Sequence, residues 1–181
     1  ISKRYIRIVP IYWSKSSFDL DSTTADALVM QTSIGQGDTL VTPMEMALIA
    51  SAVANDGEMI KPRYVDNIVS ADGQAVKTFY KESLGTVMSE SEANTLTELM
   101  KGVVQRGTAV SLSDLPYNIA GKTGTAEHGS DGETPHSWFV GYSNADDPDI
   151  VIAVVAENGG YSSEVAVPIA RQVIEAYYAQ Q

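Results

Sequence analysis

Apolar and polar positions divide this chain into segments with distinct periods. After Thr42, the run Thr42-Pro43-Met44-Glu45 combines a capping box with proline at the first helical position. Met44, Ala47, Leu48 and Val53 then recur at helical spacing, and Asn55-Asp56-Gly57 marks the end. Ser89-Glu90-Ser91-Glu92 is a second capping box. It opens a helix whose predicted apolar stripe is Leu96, Leu99, Met100, Val103 and Val104, closed by Gly107. Between these helices, 64–70 and 74–80 flank Asp72-Gly73 and predict a hairpin. The last third reads as strands at 119–126, 137–142 and 150–156, with a polar loop at 128–135 and a tight turn at 144–149. The third strand is apolar on both faces, which predicts a central place in the sheet. Connections this short favour antiparallel neighbours. A closing helix is expected over 164–178, with Ile169, Val173 and Tyr177 on one face and Pro168 blurring its start. Near the beginning, 5–9 reads as a short strand and 14–21 as irregular. The class is α+β: a three-stranded antiparallel meander with helices packed on it.

Composition narrows the function. With 181 residues, 44% of them apolar, the chain can bury one sizeable core, so one domain or a large piece of one is expected. Its 12 basic and 23 acidic residues give a net charge of −11, and no basic cluster beyond Lys3-Arg4 exists to meet phosphates, which argues against a nucleic-acid partner. The absence of cysteine removes disulfides, thiolate metal sites and a cysteine nucleophile. No apolar run is long enough to span a bilayer. The chain begins at Ile1, not methionine, and is expected to be a cropped or processed piece.

Candidate chemistry concentrates in Ala120-Gly121-Lys122-Thr123-Gly124-Thr125-Ala126-Glu127. Gly124 removes a side chain from a strand edge, so that a ligand backbone can approach and pair as an added strand. Lys122 offers a cation whose bond to a carboxylate is worth about 1.5–3 kcal/mol. The hydroxyls of Thr123 and Thr125 can orient that carboxylate, and the Thr125 backbone N–H can face a developing oxyanion. Other candidates are weaker. His128 and His136 flank the loop without a third ligand at useful spacing and read as surface residues; no metal or cofactor is called for. Strand alternation makes at least one of Trp138 and Phe139 core. Asp146-Asp147-Pro148-Asp149 reads as a solvated turn, and Glu127 as a rim residue or a plain surface carboxylate.

Lys-Thr-Gly is a motif of penicillin-binding proteins and class A β-lactamases. Around it, 31–38, 42–47, 52–57, 107–109 and 136–142 resemble, in order and spacing, the penicillin-binding protein transpeptidase domain, and most closely its monofunctional (class B-like) members. The likeness runs over about 8–178 and implies part of a β-lactamase/transpeptidase-like fold. It further implies a serine acyltransferase on the extracytoplasmic face of the bacterial cell membrane. Such enzymes cross-link peptidoglycan stem peptides ending in D-Ala-D-Ala and are acylated by β-lactam antibiotics. Carried over to this chain, Lys122, Thr123, Gly124 and Thr125 match the motif that binds the donor or β-lactam carboxylate, with Lys122 and Thr125 as the catalytic members. Gly35-Gln36-Gly37 and the helix from Thr42 match supporting structure behind the site.

Two motifs of that family are missing. Three places before Lys15, Lys61, Lys77, Lys81, Lys101 and Lys122 stand Tyr12, Glu58, Gln74, Thr78, Glu98 and Ile119, so there is no Ser-x-x-Lys, and no Ser-x-Asn occurs either. Residues 1–181 therefore read as the C-terminal portion of the domain, inactive alone and needing its N-terminal half. Apolar surface around the Thr42 helix is expected to be left uncovered, which favours self-association. The alternatives are a non-catalytic binding or scaffold module of the same fold, and a fragment of a serine β-lactamase or carboxypeptidase.

Overall fold

A computed structural model describes residues 14–129 and 132–181 of the chain; the expected strand at 5–9 lies outside the described residues. Among the described residues four α-helices and seven strands follow in order: α1 (Asp26–Ser33), α2 (Pro43–Ala54), β1 (Glu58–Ile60), β2 (Asn67–Val69), β3 (Ala75–Thr78), β4 (Ser83–Thr86), α3 (Glu90–Arg106), β5 (Ala120–Ala126), β6 (His136–Tyr142), β7 (Val151–Ala156) and α4 (Ala166–Tyr178). β5, β6 and β7 form the expected antiparallel meander. Its order is β5-β6-β7, so β6 is central and β7 is not. β7 is apolar on both faces for another reason: helices cover both. Ile152 and Val154 pack with α4, while Val151, of opposite parity, packs with Val53 of α2 and Tyr142.

The helix caps form as their residues dictate, with one difference. Ser89 and Glu92 make the full reciprocal box at the start of α3. At α2 only half of it exists: Thr42 Oγ1 accepts from the Glu45 N–H, but the Thr42 N–H donates to Ser16 Oγ at 3.2 Å. The preceding segment thus takes the place expected of the Glu45 carboxylate.

Two helices bury different stripes from those their large apolar residues suggest. In α4 the core face is Ala166, Val167, Ala170 and Ile174, while Ile169 and Val173 face outward. Alanines at the contact let the helix lie close to the sheet, and that favours the small-residue stripe over the neighbouring bulky one. In α3, Ala93 and Val104 are buried, with Met100 and Val103 packed beside core clusters. Thr97 reaches the Tyr142 hydroxyl at 2.7 Å, leaving Leu96 and Leu99 exposed.

The 64–80 hairpin forms about its Ser70–Gln74 turn but is shorter than expected, since β2 and β3 have almost no buried position to extend them. Outside it, β1 pairs with β4, an element with no local sequence signal. In the sheet itself Phe139, wholly buried, lies over Gly121; a Cβ there would stand 2.5 Å from the ring. Glycine at 121 is therefore a packing requirement of the core beneath the candidate site.

Candidate functional site

Among the described residues β5 pairs with β6 alone, and none of their strands lies on its other edge. Lys122 stands opposite Val140, Thr123 opposite Phe139 and Gly124 opposite Trp138. Alternation sends Lys122 and Gly124 to one face of the sheet and Gly121 and Thr123 to the other. Lys122 is exposed, and its Nζ curls onto the Thr123 carbonyl at 2.5 Å. Thr123 is only 7% exposed, and its hydroxyl lies 2.5 Å from that of Thr108. Of the two hydroxyls expected at the edge, the structure thus turns one inward. The exposed Thr125 hydroxyl lies 3.4 Å from Ser162 Oγ.

Gly124 serves its own sheet as well as any ligand. A Cβ at this position would approach the Trp138 Cβ to 3.3 Å across the strands. Trp138 is half-buried and lines a cleft of about 410 Å³, while Phe139 belongs to the core, as alternation requires. Ile34, Gln36 and Met46 line the cleft opposite Lys122, Gly124 and Trp138. Gln36 therefore sits in the cleft itself, although its segment was expected to lie behind the site. Its Nε2 donates to the Thr125 carbonyl at 3.3 Å. Gln36 and Thr108 lie in segments the resemblance picks out, but their contacts with Thr125 and Thr123 are not legible in sequence, because each partner lies elsewhere along the chain.

A second hollow, of about 700 Å³, adjoins Thr125 and is lined by Glu127, Thr134, Pro135 and Tyr161, which puts Glu127 on a rim. His128 lines it too, and its ring stacks on that of His136 at 3.8 Å. His128 bonds the Thr134 carbonyl at 3.0 Å and lies 3.3 Å from the Glu133 carboxylate. His136 Nδ1 accepts from the Asn158 N–H at 3.0 Å. Both rings are half-buried, closer together than two separate surface residues would be. Among the described residues no group of three side chains is placed to hold a metal ion. The Asp146 turn is tethered as well as solvated: its carboxylate takes Asn118 Nδ2 at 2.8 Å and Lys101 Nζ at 3.2 Å. Those bonds, Asn118 first, hold the Asp146 carboxyl below its ordinary value.

Residues 12–175 match the penicillin binding protein transpeptidase domain. The chain belongs to that family. It is 36% identical over 170 residues to the peptidoglycan D,D-transpeptidase PbpA of Mycolicibacterium smegmatis, covering 86% of this chain and 34% of that protein. Penicillin-binding protein A from M. tuberculosis, solved as a ceftriaxone acyl-enzyme complex, superposes with a TM-score of 0.79 at 34% identity over 90% of this chain and 38% of that one. Penicillin-binding protein 2B from Streptococcus pneumoniae gives 0.76 at 26% identity, covering 90% and 28%. The chain spans about a third of the length of the curated relatives it matches. The α+β architecture expected from the sequence is the architecture of these transpeptidase structures.

Proposed function

We propose that this chain is the C-terminal part of a peptidoglycan D,D-transpeptidase, working at the extracytoplasmic face of the bacterial cell membrane. In this reading β5 binds the terminal carboxylate of a D-Ala-D-Ala stem peptide, or that of a β-lactam. The observation that carries it is the Lys122-Thr123-Gly124-Thr125 strand, which has no strand partner on one edge among the described residues and faces a cleft. Lys122 supplies the cation for the carboxylate, Thr125 a hydroxyl and an N–H toward the reacting carbonyl, and Gly124 room beside them. Thr123 contributes its backbone, since its hydroxyl is held by Thr108.

The attacking serine belongs to the N-terminal half of the domain. It adds to the donor's penultimate D-alanine carbonyl, and as the resulting intermediate collapses the peptide C–N bond breaks and terminal D-alanine leaves as its amine. An acceptor amine then attacks the acyl-serine ester and returns the serine oxygen. A serine β-lactamase or a non-catalytic module of the same fold lacks part of this sequence.

Fluorescent penicillin tests the proposal. It is expected to label the complete protein persistently and to leave this 181-residue chain unlabelled. In the complete protein, Lys122→Ala is expected to slow acylation by about 10-fold or more, the worth of one charge-assisted hydrogen bond, without loss of folding. Unchanged acylation removes Lys122 from the site. A stable adduct on this chain alone overturns the division of labour between halves, and rapid hydrolysis by the complete protein identifies a β-lactamase.

A further inference from the structure

The free edge of β5 has its outward acceptors at Thr123 and Thr125, since carbonyls two residues apart point to the same side of a strand. Both oxygens are already taken by side chains of this chain. Lys122 Nζ holds the Thr123 carbonyl at 2.5 Å, and Gln36 Nε2 holds the Thr125 carbonyl at 3.3 Å. Unpaired strand edges are templates for any extended backbone, so covering them protects the empty protein. A peptide laid along the same edge must donate its own N–H groups to those oxygens.

The two occupants differ in kind. Lys122 is adjacent in sequence, and an arriving carboxylate draws its ammonium away by charge. Gln36 comes from a separate segment, 89 positions from its acceptor, on a turn between α1 and α2. Gly35 and Gly37 on either side adopt φ of 80° and 74°, a region that favours glycine, and so shape the turn that presents it. Its carboxamide is also the side chain that most closely imitates a backbone N–H donor. It occupies the edge as one amide of an added strand would.

We propose that Gln36 is a specificity-determining residue: its side-chain amide closes the Thr125 carbonyl in the empty groove and is displaced by the amide N–H of a bound peptide or β-lactam. This rests on reading the groove as the donor and β-lactam site. Exchanging one neutral N–H···O bond for another changes the free energy little. An amide-bearing ligand therefore gains almost nothing from Thr125 while Gln36 is present. A ligand without that amide never competes with it. Gln36 thus narrows the advantage of amide-bearing ligands.

The test uses the complete protein, with acylation rate constants measured for penicillin G, which carries an amide on its β-lactam ring, and imipenem, which carries a hydroxyethyl group there. In Gln36→Ala the penicillin G to imipenem ratio is expected to rise by about 2- to 10-fold, the range a neutral hydrogen bond is worth. Gln36→Asn keeps the carboxamide on a shorter side chain and is expected to shift the ratio the same way; it carries the test should the alanine variant not fold. A ratio that stays constant while both rates fall makes Gln36 a brace for β5 and overturns the inference. A falling ratio means that Gln36 contacts the ligand instead of yielding to it, which also overturns it. Wild-type protein acylated by neither compound sinks the reading of the groove itself, and this inference with it; normal wild-type acylation with an unmoved ratio sinks this inference alone.

Discussion

Single residues settle which groups face the cleft and which hold its supports. Thr123 and Thr125 are two positions apart in one strand, yet Thr123 is buried against Thr108 and Thr125 is exposed beside Ser162. Arg171 holds a support further away. Its guanidinium meets both oxygens of Asp114 at 2.6 and 2.9 Å and also bonds the Ser111 carbonyl and Glu175, tying α4 to the turn that follows α3. The Arg171 hydrogen bond and charge hold the Asp114 carboxyl below its ordinary value. A depressed folded-state pKa contributes stability above the unfolded value, about 4, that is lost as pH falls through the folded value. Melting temperature is therefore expected to fall as pH is lowered from about 4, and Asp114→Asn to lessen that fall. Identical acid profiles for the two proteins would remove the Asp114–Arg171 pair from the account.

Elements form where local signals agree with packing. The Ser89 box is read directly from four consecutive residues and exists in full, with Ser89 N–H bonded to the Glu92 carboxylate at 2.8 Å and Ser89 Oγ accepting from the Glu92 N–H. Ser89→Ala is expected to lower stability by about 1 kcal/mol, read as an earlier urea midpoint with an unchanged slope. No change in midpoint would mean that solvent satisfies the cap equally well. α3 and α4 show where local reading ends. Helical spacing identifies both, but Leu99 lies outside while Ala166 and Ala170 lie inside, because a helix face is chosen by the surface that receives it. The β1–β4 pair has no short-range signature, since its partners are joined through an intervening hairpin.

At the scale of the whole molecule, apolar surface remains uncovered around the Thr42 helix, where it was expected. α2 buries Leu48, Ala50, Ala52 and Val53 but leaves Ile49 exposed, and just before it Met30 is 70%, Ile34 77% and Leu40 69% exposed. Leu99 of α3 adds to them. Contiguous exposed apolar surface marks contact sites, and we infer one here beside α2. The proposed occupant is the N-terminal half of the domain, and the chain alone is expected to self-associate in the micromolar range by sedimentation velocity. A single monomeric boundary throughout that range would reject this.

What the sequence by itself determined was local in origin: the α3 cap, the alternating strands of the meander, the place of Lys122 through Thr125 on one of them, and the family those residues suggest. The tertiary structure alone decided that β6 is central, that α4 buries alanines while Ile169 faces out, that the Thr123 hydroxyl turns to Thr108, and that Gln36 rests on Thr125. Caps and alternation depend on neighbours a few positions away, whose spacing is written in the chain. Burial and edge pairing depend on which distant surface arrives, and that surface exists only once the chain has folded.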